Sequence, residues 1–344
     1  MLRFAELSNT DTVFPMLASL TLSNYRGFQS LDIRRFARVN LIGGVNNAGK
    51  TGLLEAIYLL LQRNAQEIVQ QLPGLFRAKS GIDEARYFWR WLAHNGAING
   101  VTTIHGKVEP FGDVTAFWEA NDSQQTRQRQ GQHLFDAAGM RLTSAPVSKE
   151  QLINWPTPEV FSPRPTPPVE DAQVYIRATK KNADAEERIE ELLREIDGRV
   201  KRVRAFPDET NNQPILHIGV QSGPALPAPQ FGQGFNRLLR IYSAILAAEA
   251  RVFLIDEMET GLHHSILPLF WKGLAALARR EEVQIFATTH SREAIFAAHR
   301  VFSEEPTYNF AYHRLERNAK GEIVALTYDQ EALGGADEAN FEVR

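Results

Sequence analysis

The sequence predicts an α/β protein built on a mixed central sheet with flanking helices, and three stretches predict it. LIGGVNNAGKT (41–51) lies between an apolar strand candidate and the apolar helix candidate TGLLEAIYLLL. RVFLIDE (251–257) is a short apolar run ending in two acids. VQIFATTHS (283–291) is a second apolar run with a polar end. Short apolar runs that stop at polar residues read as buried strands whose carboxyl ends face a ligand cleft.

Length and composition set the frame. The chain has 344 residues, enough for a sizeable core, with 43 % hydrophobic and 23 % charged residues, as in an ordinary globular protein. It has no cysteine, which excludes disulfides, thiol catalysis and cysteine-bound zinc. The start, MLRFAELSNTD, has no basic segment followed by a long apolar run, and no apolar run reaches the ~18 residues that span a bilayer. A cytoplasmic location with no membrane contact is the expectation. The net charge of −3 gives no whole-molecule argument for nucleic acid.

Taken in order, Phe14 to Ser23 reads as a strand and Asn24 to Phe28 as a turn. Val39 to Ile42 is a short strand, and Thr51 to Leu61 a buried helix. Residues 62–98 read as helical, closing on an aromatic cluster of Tyr87, Phe88, Trp89, Trp91 and Leu92. Gly100 to Ala120 alternates as two hairpin strands, and Asn121 to Gln132 is a polar turn. Six prolines between Trp155 and Val169 predict an extended surface connection. Gln173 to Arg177 reads as a short strand.

Ala185, Ile189, Leu192, Leu193 and Ile196 then recur at helical spacing, so this segment is a docked amphipathic helix, too short for a coiled-coil arm. Ile215 to Val220 is a strand. A glycine turn opens a long apolar helix after Pro229, and a further helix carries Pro268 in or near its first turn. Ser291 is placed to cap the helix from Arg292, and residues 309–328 form a terminal hairpin.

The chemistry concentrates in few residues. Gly44, Gly49, Lys50 and Thr51 fit the phosphate-loop pattern G-x-x-x-x-G-K-[ST]. Loop amides from Gly44 through Asn46, Asn47, Ala48 and Gly49 would face an anion, Lys50 the β- and γ-phosphates, and Thr51 a Mg²⁺ ion. Asp256 is placed to act on the same ion, and Glu257 to take a proton from attacking water. His290 would touch the γ-phosphate or that water. Gly232, Gln233 and Gly234 offer helix-start amides as a second anion site. About 206 residues separate Lys50 from Asp256, so the site is split. Residues 1–61 and 213–344 are expected to form the nucleotide domain, with 62–212 an inserted helical and β lobe and a Pro-rich connection near 155–169.

These motifs resemble the ATP-binding-cassette-type head ATPases of the SMC, RecF and overcoming-lysogenisation-defect branch, over about residues 14–61 and 229–344. Asn24, Tyr25 and Arg26 match that branch's N-F-R turn, GGVNNAGKT its Walker A, FLIDE its Walker B and Met258 to His263 its D-loop. FGQGF stands at the signature, where transporters carry L-S-G-G-Q, and Glu342 to Arg344 matches a closing E-V-R. No glutamine is assigned to the Q-loop. The resemblance implies a P-loop NTPase fold of SMC-head type that hydrolyses ATP with Mg²⁺. It implies a head-to-tail homodimer, with Gly232 to Gly234 of one copy closing on ATP held by Lys50 of the other. Arg26 would reach the nucleotide. Only about fifty residues follow His290, too few for a Toprim nuclease domain. The expected role is therefore control of a separate effector, such as a nuclease or toxin in bacterial antiphage defence. The alternative is a RecF- or SMC-like DNA clamp or repair ATPase using Arg127, Arg129, Lys180, Lys181, Lys201, Arg202 and Arg204.

Overall fold

The computed structural model describes residues 15–64, 68, 91–96, 101–120, 132–137, 140–144, 155–339 and 343. The expected aromatics Tyr87, Phe88 and Trp89, the basic residues Arg127 and Arg129, and the ends of the E-V-R motif, Glu342 and Arg344, lie outside these residues.

Strands β1 (Met16–Tyr25) and β2 (Phe28–Ile33) pair through the two-residue turn Arg26-Gly27. They belong to an antiparallel sheet of order β2-β1-β4-β5-β7-β6, with β4 (Val101–Glu109), β5 (Gly112–Ala120), β6 (Gln132–Ala137) and β7 (Met140–Ser144). The hairpin read at 100–120 is thus β4 and β5.

The second sheet carries the chemistry. Its order is β15-β14-β3-β13-β12-β8. Here β3 is Val39–Gly44, β8 Pro158–Phe161, β12 Val252–Ile255, β13 Gln284–Thr288, β14 Phe310–Arg317 and β15 Ile323–Tyr328. The strands β14, β3, β13, β12 and β8 are parallel, and β15 returns antiparallel. Strands β3, β12 and β13 are buried along their whole length, which explains their unbroken apolar sequences.

Helix α1 (Lys50–Leu61) follows β3 and is buried except at Thr51. It packs in a core with Leu20, Leu22, Ile42, Leu254 and Phe286, between the two large sheets. Gln284 joins those sheets: its buried amide accepts from the Leu17 N–H (2.8 Å) and donates to the Leu17 and Ala37 carbonyls (2.9 and 3.0 Å). One side chain thereby satisfies a backbone position of β1 where the β1–β4 register shifts.

Two sequence expectations are corrected. The Pro-rich stretch is not only a surface connection, because Pro158–Phe161 is the outer parallel strand β8 beside β12. Pro158 opens an edge strand, a place where its missing N–H costs nothing. Residues 173–177 are not a strand but the middle of helix α2 (Pro168–Lys181). The Val-Tyr-Ile run looks β-like, yet Ala172, Tyr175 and Ala178 form a buried stripe at helical spacing. Pro168 at the start, Glu170 and Asp171 in the first turn and Lys180 and Lys181 in the last favour the helix. The expected boundary near 212 falls inside a hairpin, since β9 (Val200–Pro207) pairs with β10 (Pro214–Val220), which pairs in turn with the short β11 (Leu226–Pro227).

Helix α3 (Ala185–Ile196) docks through Ala185, Ile189 and Leu193 as expected. It also runs along the outer edge of β9. Glu190 accepts from the Val203 N–H (2.9 Å), and Arg194 donates to the Val200 and Lys201 carbonyls (3.2 and 3.4 Å). Helices α4 (Gln233–Ala247) and α5 (Leu267–Arg280, Pro268 in its first turn) share the second core with α6 (Arg292–Ser303). Ser291 caps α6 by accepting from the Ala294 N–H at 3.1 Å. A short helix α7 (Gln330–Glu338) follows β15.

His313 on β14 is fully buried, between Thr327 Oγ1 (2.9 Å) and Asn40 Oδ1 (3.3 Å). Burial pulls its pKa down to about 4, against about 6.5 for a free imidazole. The folded state therefore holds the neutral ring. Its stabilising share is complete above pH ~6.5 and is lost as pH falls toward 4, by up to about 3 kcal/mol. Urea unfolding at pH 7.5 and 4.5 should show this acid loss in the native protein and a smaller one in His313→Gln.

Candidate nucleotide site

The carboxyl ends of β3, β12 and β13 meet at one place, and the split motifs meet there. Thr51 Oγ1 lies 3.1 and 3.3 Å from the Asp256 carboxylate oxygens, across 205 positions of sequence. The strand order β3-β13-β12 brings them together. Thr288, at the end of β13, donates to Asp256 Oδ1 (2.6 Å), while its hydroxyl oxygen accepts from the Glu257 N–H (2.7 Å). The Thr289 N–H reaches the Ile42 carbonyl (3.0 Å), fixing the end of β13 to the start of the phosphate loop.

The loop needs glycine at its head. Gly44 sits at φ 133°, and a β-carbon there would lie 2.3 Å from the Leu315 carbonyl oxygen of β14. Only glycine fits between the loop and its neighbouring strand. Asn47 takes φ 61°, while Val45, Asn46 and Asn47 are exposed at the tip. The Lys50 ammonium is buried at the loop's base and donates to the Gly44 and Val45 carbonyls (2.6 and 3.0 Å). Burial lowers its pKa, against the opposing pull of Asp256, Glu259 and Glu257. Burial raises the pKa of Asp256, while its bonds from Thr288 and Thr51 act the other way.

Glu257 holds a left-handed backbone, φ 48°, rare for a side chain of its kind. Its carboxylate accepts from Thr260 Oγ1 (3.2 Å). The His290 N–H donates to Glu259 Oε1 (2.6 Å), so the histidine turn is tied to the acid turn through an acid other than Glu257. Arg26 lies beside the start of α1: its Nε is 2.8 Å from the fully buried Glu55, and it also donates to the Trp91 carbonyl (3.2 Å). This contact holds the first hairpin against α1.

Gly232 and Gln233 are exposed at the start of α4, and Gly234 is buried against Gly261 of the loop after Glu257. Sequence reading passed over one residue here. Arg237, one turn into α4, donates to the Asp256 carbonyl, and burial lowers its pKa against the pull of Asp256, Glu259 and Glu257. Nothing local marks it, because its partners are all brought by other elements.

Thr51 and Asp256 supply a hydroxyl and a carboxylate side by side, hard oxygen donors that suit Mg²⁺ bound mainly through phosphates and water. A glycine-headed loop, a lysine buried at its base and such a donor pair define a P-loop ATPase that binds ATP. A model of the family described as "AAA domain, putative AbiEii toxin, Type IV TA system" matches residues 117–295, just over half the chain, and the chain belongs to that AAA family.

Other comparisons agree on the class. An "ATP/GTP phosphatase" of Helicobacter pylori is 24 % identical over 333 residues, covering 84 % of this chain and 89 % of that protein. The DNA replication and repair protein RecF of Actinobacillus pleuropneumoniae is 34 % identical over 79 residues, 21 % of this chain and 22 % of that one. RecF of Cellvibrio japonicus is 52 % identical over 44 residues, 13 % of this chain and 12 % of that one. Among solved structures, an SMC head bound to the C-winged helix domain of ScpA aligns with TM-score 0.58 at 11 % identity, over 93 % of this chain and 99 % of that one. An SMC head with an extended coiled coil, bound to the C-terminal domain of ScpA derived from Pyrococcus furiosus, gives 0.53 at 10 % identity, over 95 % and 100 %. The fold is that of an SMC-type head. Among the described residues no helix is long and apolar enough to cross a membrane.

Proposed function

We propose that this ATPase is a dimerising switch of the RecF and SMC kind, acting on DNA. The observation that carries the switch is the Thr51–Asp256 contact, which unites two motifs from distant parts of the chain. Lys50 and the loop amides bind the phosphates. Thr51 and Asp256 hold Mg²⁺, which offsets phosphate charge when bound. Glu257 accepts the proton of the attacking water, and His290 lies at the γ-phosphate end. Gly232 to Gly234 of a second copy close over the nucleotide, which accounts for exposed Gly232 and Gln233 at a helix start. Exposed Val45, on the loop tip, gains cover in the same arrangement.

The RecF similarity and the SMC-head fold support a DNA-associated role over control of a separate effector. The family description, which names a toxin system, supports the effector reading. The proposed basic groove is reduced within the described residues: Arg204 pairs with Glu186 and Glu190, and Lys181 donates to the Ala248 carbonyl. Lys201 and Arg202 remain exposed. The deciding experiment uses the Glu257→Gln protein with ATP and Mg²⁺. Mass should double in solution, and duplex DNA should be retained in a salt-dependent manner. A dimer that captures a protein and no DNA would favour the effector reading, and a monomer would end the switch reading.

A further inference from the structure

Two charged side chains beside the acid turn are incompletely bonded. Arg237 uses Nη2 on the Asp256 carbonyl, while its Nε and Nη1 are buried without a hydrogen-bond partner. Glu259 uses Oε1 on the His290 N–H, while its Oε2 is buried without a partner. Buried donors and acceptors left unmatched are costly, more so when charged. Burial lowers the Arg237 pKa, and Asp256, Glu259 and Glu257 oppose it, so Glu259 lies within electrostatic reach of the guanidinium. Arg237 rides on α4 one turn after Gly234, and Glu259 stands in the loop that Gly234 touches at Gly261.

We infer that Arg237 and Glu259 are positioning residues that close into an ion pair when the start of α4 engages nucleotide. This inference rests on the proposed dimer, in which that helix start meets ATP held by the other copy. The unmatched atoms are complementary: two N–H donors and one carboxylate oxygen. Each residue's remaining bond leads to a different part of the site. Arg237 leads to the Asp256 backbone, Glu259 to the His290 backbone. A small shift of α4 would therefore align the ion-binding acid and the histidine turn together. Neither side chain needs to touch substrate.

The test is a double-mutant cycle on the full chain, read as kcat and KM for ATP, with thermal melting as a check on folding. Arg237→Gln and Glu259→Gln should each lower kcat about tenfold with KM changed less than about threefold. The double variant should be no worse than the poorer single by more than about threefold. Arg237→Lys should keep more activity than Arg237→Gln, because a cation remains. Multiplying effects, near a hundredfold in the double variant, would overturn the pairing, as would single variants with native kcat. Active native protein that never dimerises would instead defeat the underlying dimer reading, and this outcome is seen in the native control alone.

Discussion

Glu257→Gln protein is expected to bind ATP with near-native affinity and to hydrolyse it at least about a hundredfold more slowly, the usual range for loss of a general base. The exchange keeps size and shape. The amide oxygen can still accept from Thr260, the backbone N–H still reaches Thr288 Oγ1, and the left-handed turn at φ 48° is unchanged. What disappears is the capacity to take a proton. Phosphate release measured beside equilibrium nucleotide binding separates the two effects. If turnover stays within threefold of native, Glu257 is not the base.

The second large effect is expected at Gly234. A β-carbon there would stand 2.1 Å from the Gly261 carbonyl oxygen and 2.7 Å from its carbon, backbone against backbone. Neither partner is a flexible side-chain tip, so α4 or the loop after Glu257 must move. Gly234→Ala should cost roughly 3 kcal/mol and lower Tm by about 4 °C, with turnover falling further than stability alone explains. Gly232→Ala is the control. Its φ of 88° with ψ of 162° is a conformation nearly confined to glycine but no atom lies in the way, so a smaller loss, about 1–2 kcal/mol, is expected. Equal melting temperatures for the two variants would remove the close approach from the account.

The parts of this molecule that sequence revealed are those whose signal is local. The phosphate loop carries its glycines, lysine and threonine within eight positions, and the strands β12 and β13 are apolar because both faces are covered. Even the meeting of Thr51 with Asp256 followed from motif order. What stayed hidden depends on distant partners. The strand at Pro158–Phe161 exists because β12 offers it an edge, and its prolines argued against it. Residues 173–177 have β-branched and aromatic side chains, yet the burial of Ala172 and Ala178 on one stripe makes the segment helical. Arg26 sat at a motif position, but nothing in that motif announced its partner, Glu55 on α1. Arg237 belonged to no motif and gained its place only when α4 met the acid turn.

The treatment of β9 by α3 has a consequence for how the protein behaves when crowded. A free outer strand is a template on which another chain can add itself, the first step of fibrous aggregation. Glu190 and Arg194 occupy the very groups such an addition would use. Addition of a foreign strand along β9 is thus blocked at these positions by the protein's own helix.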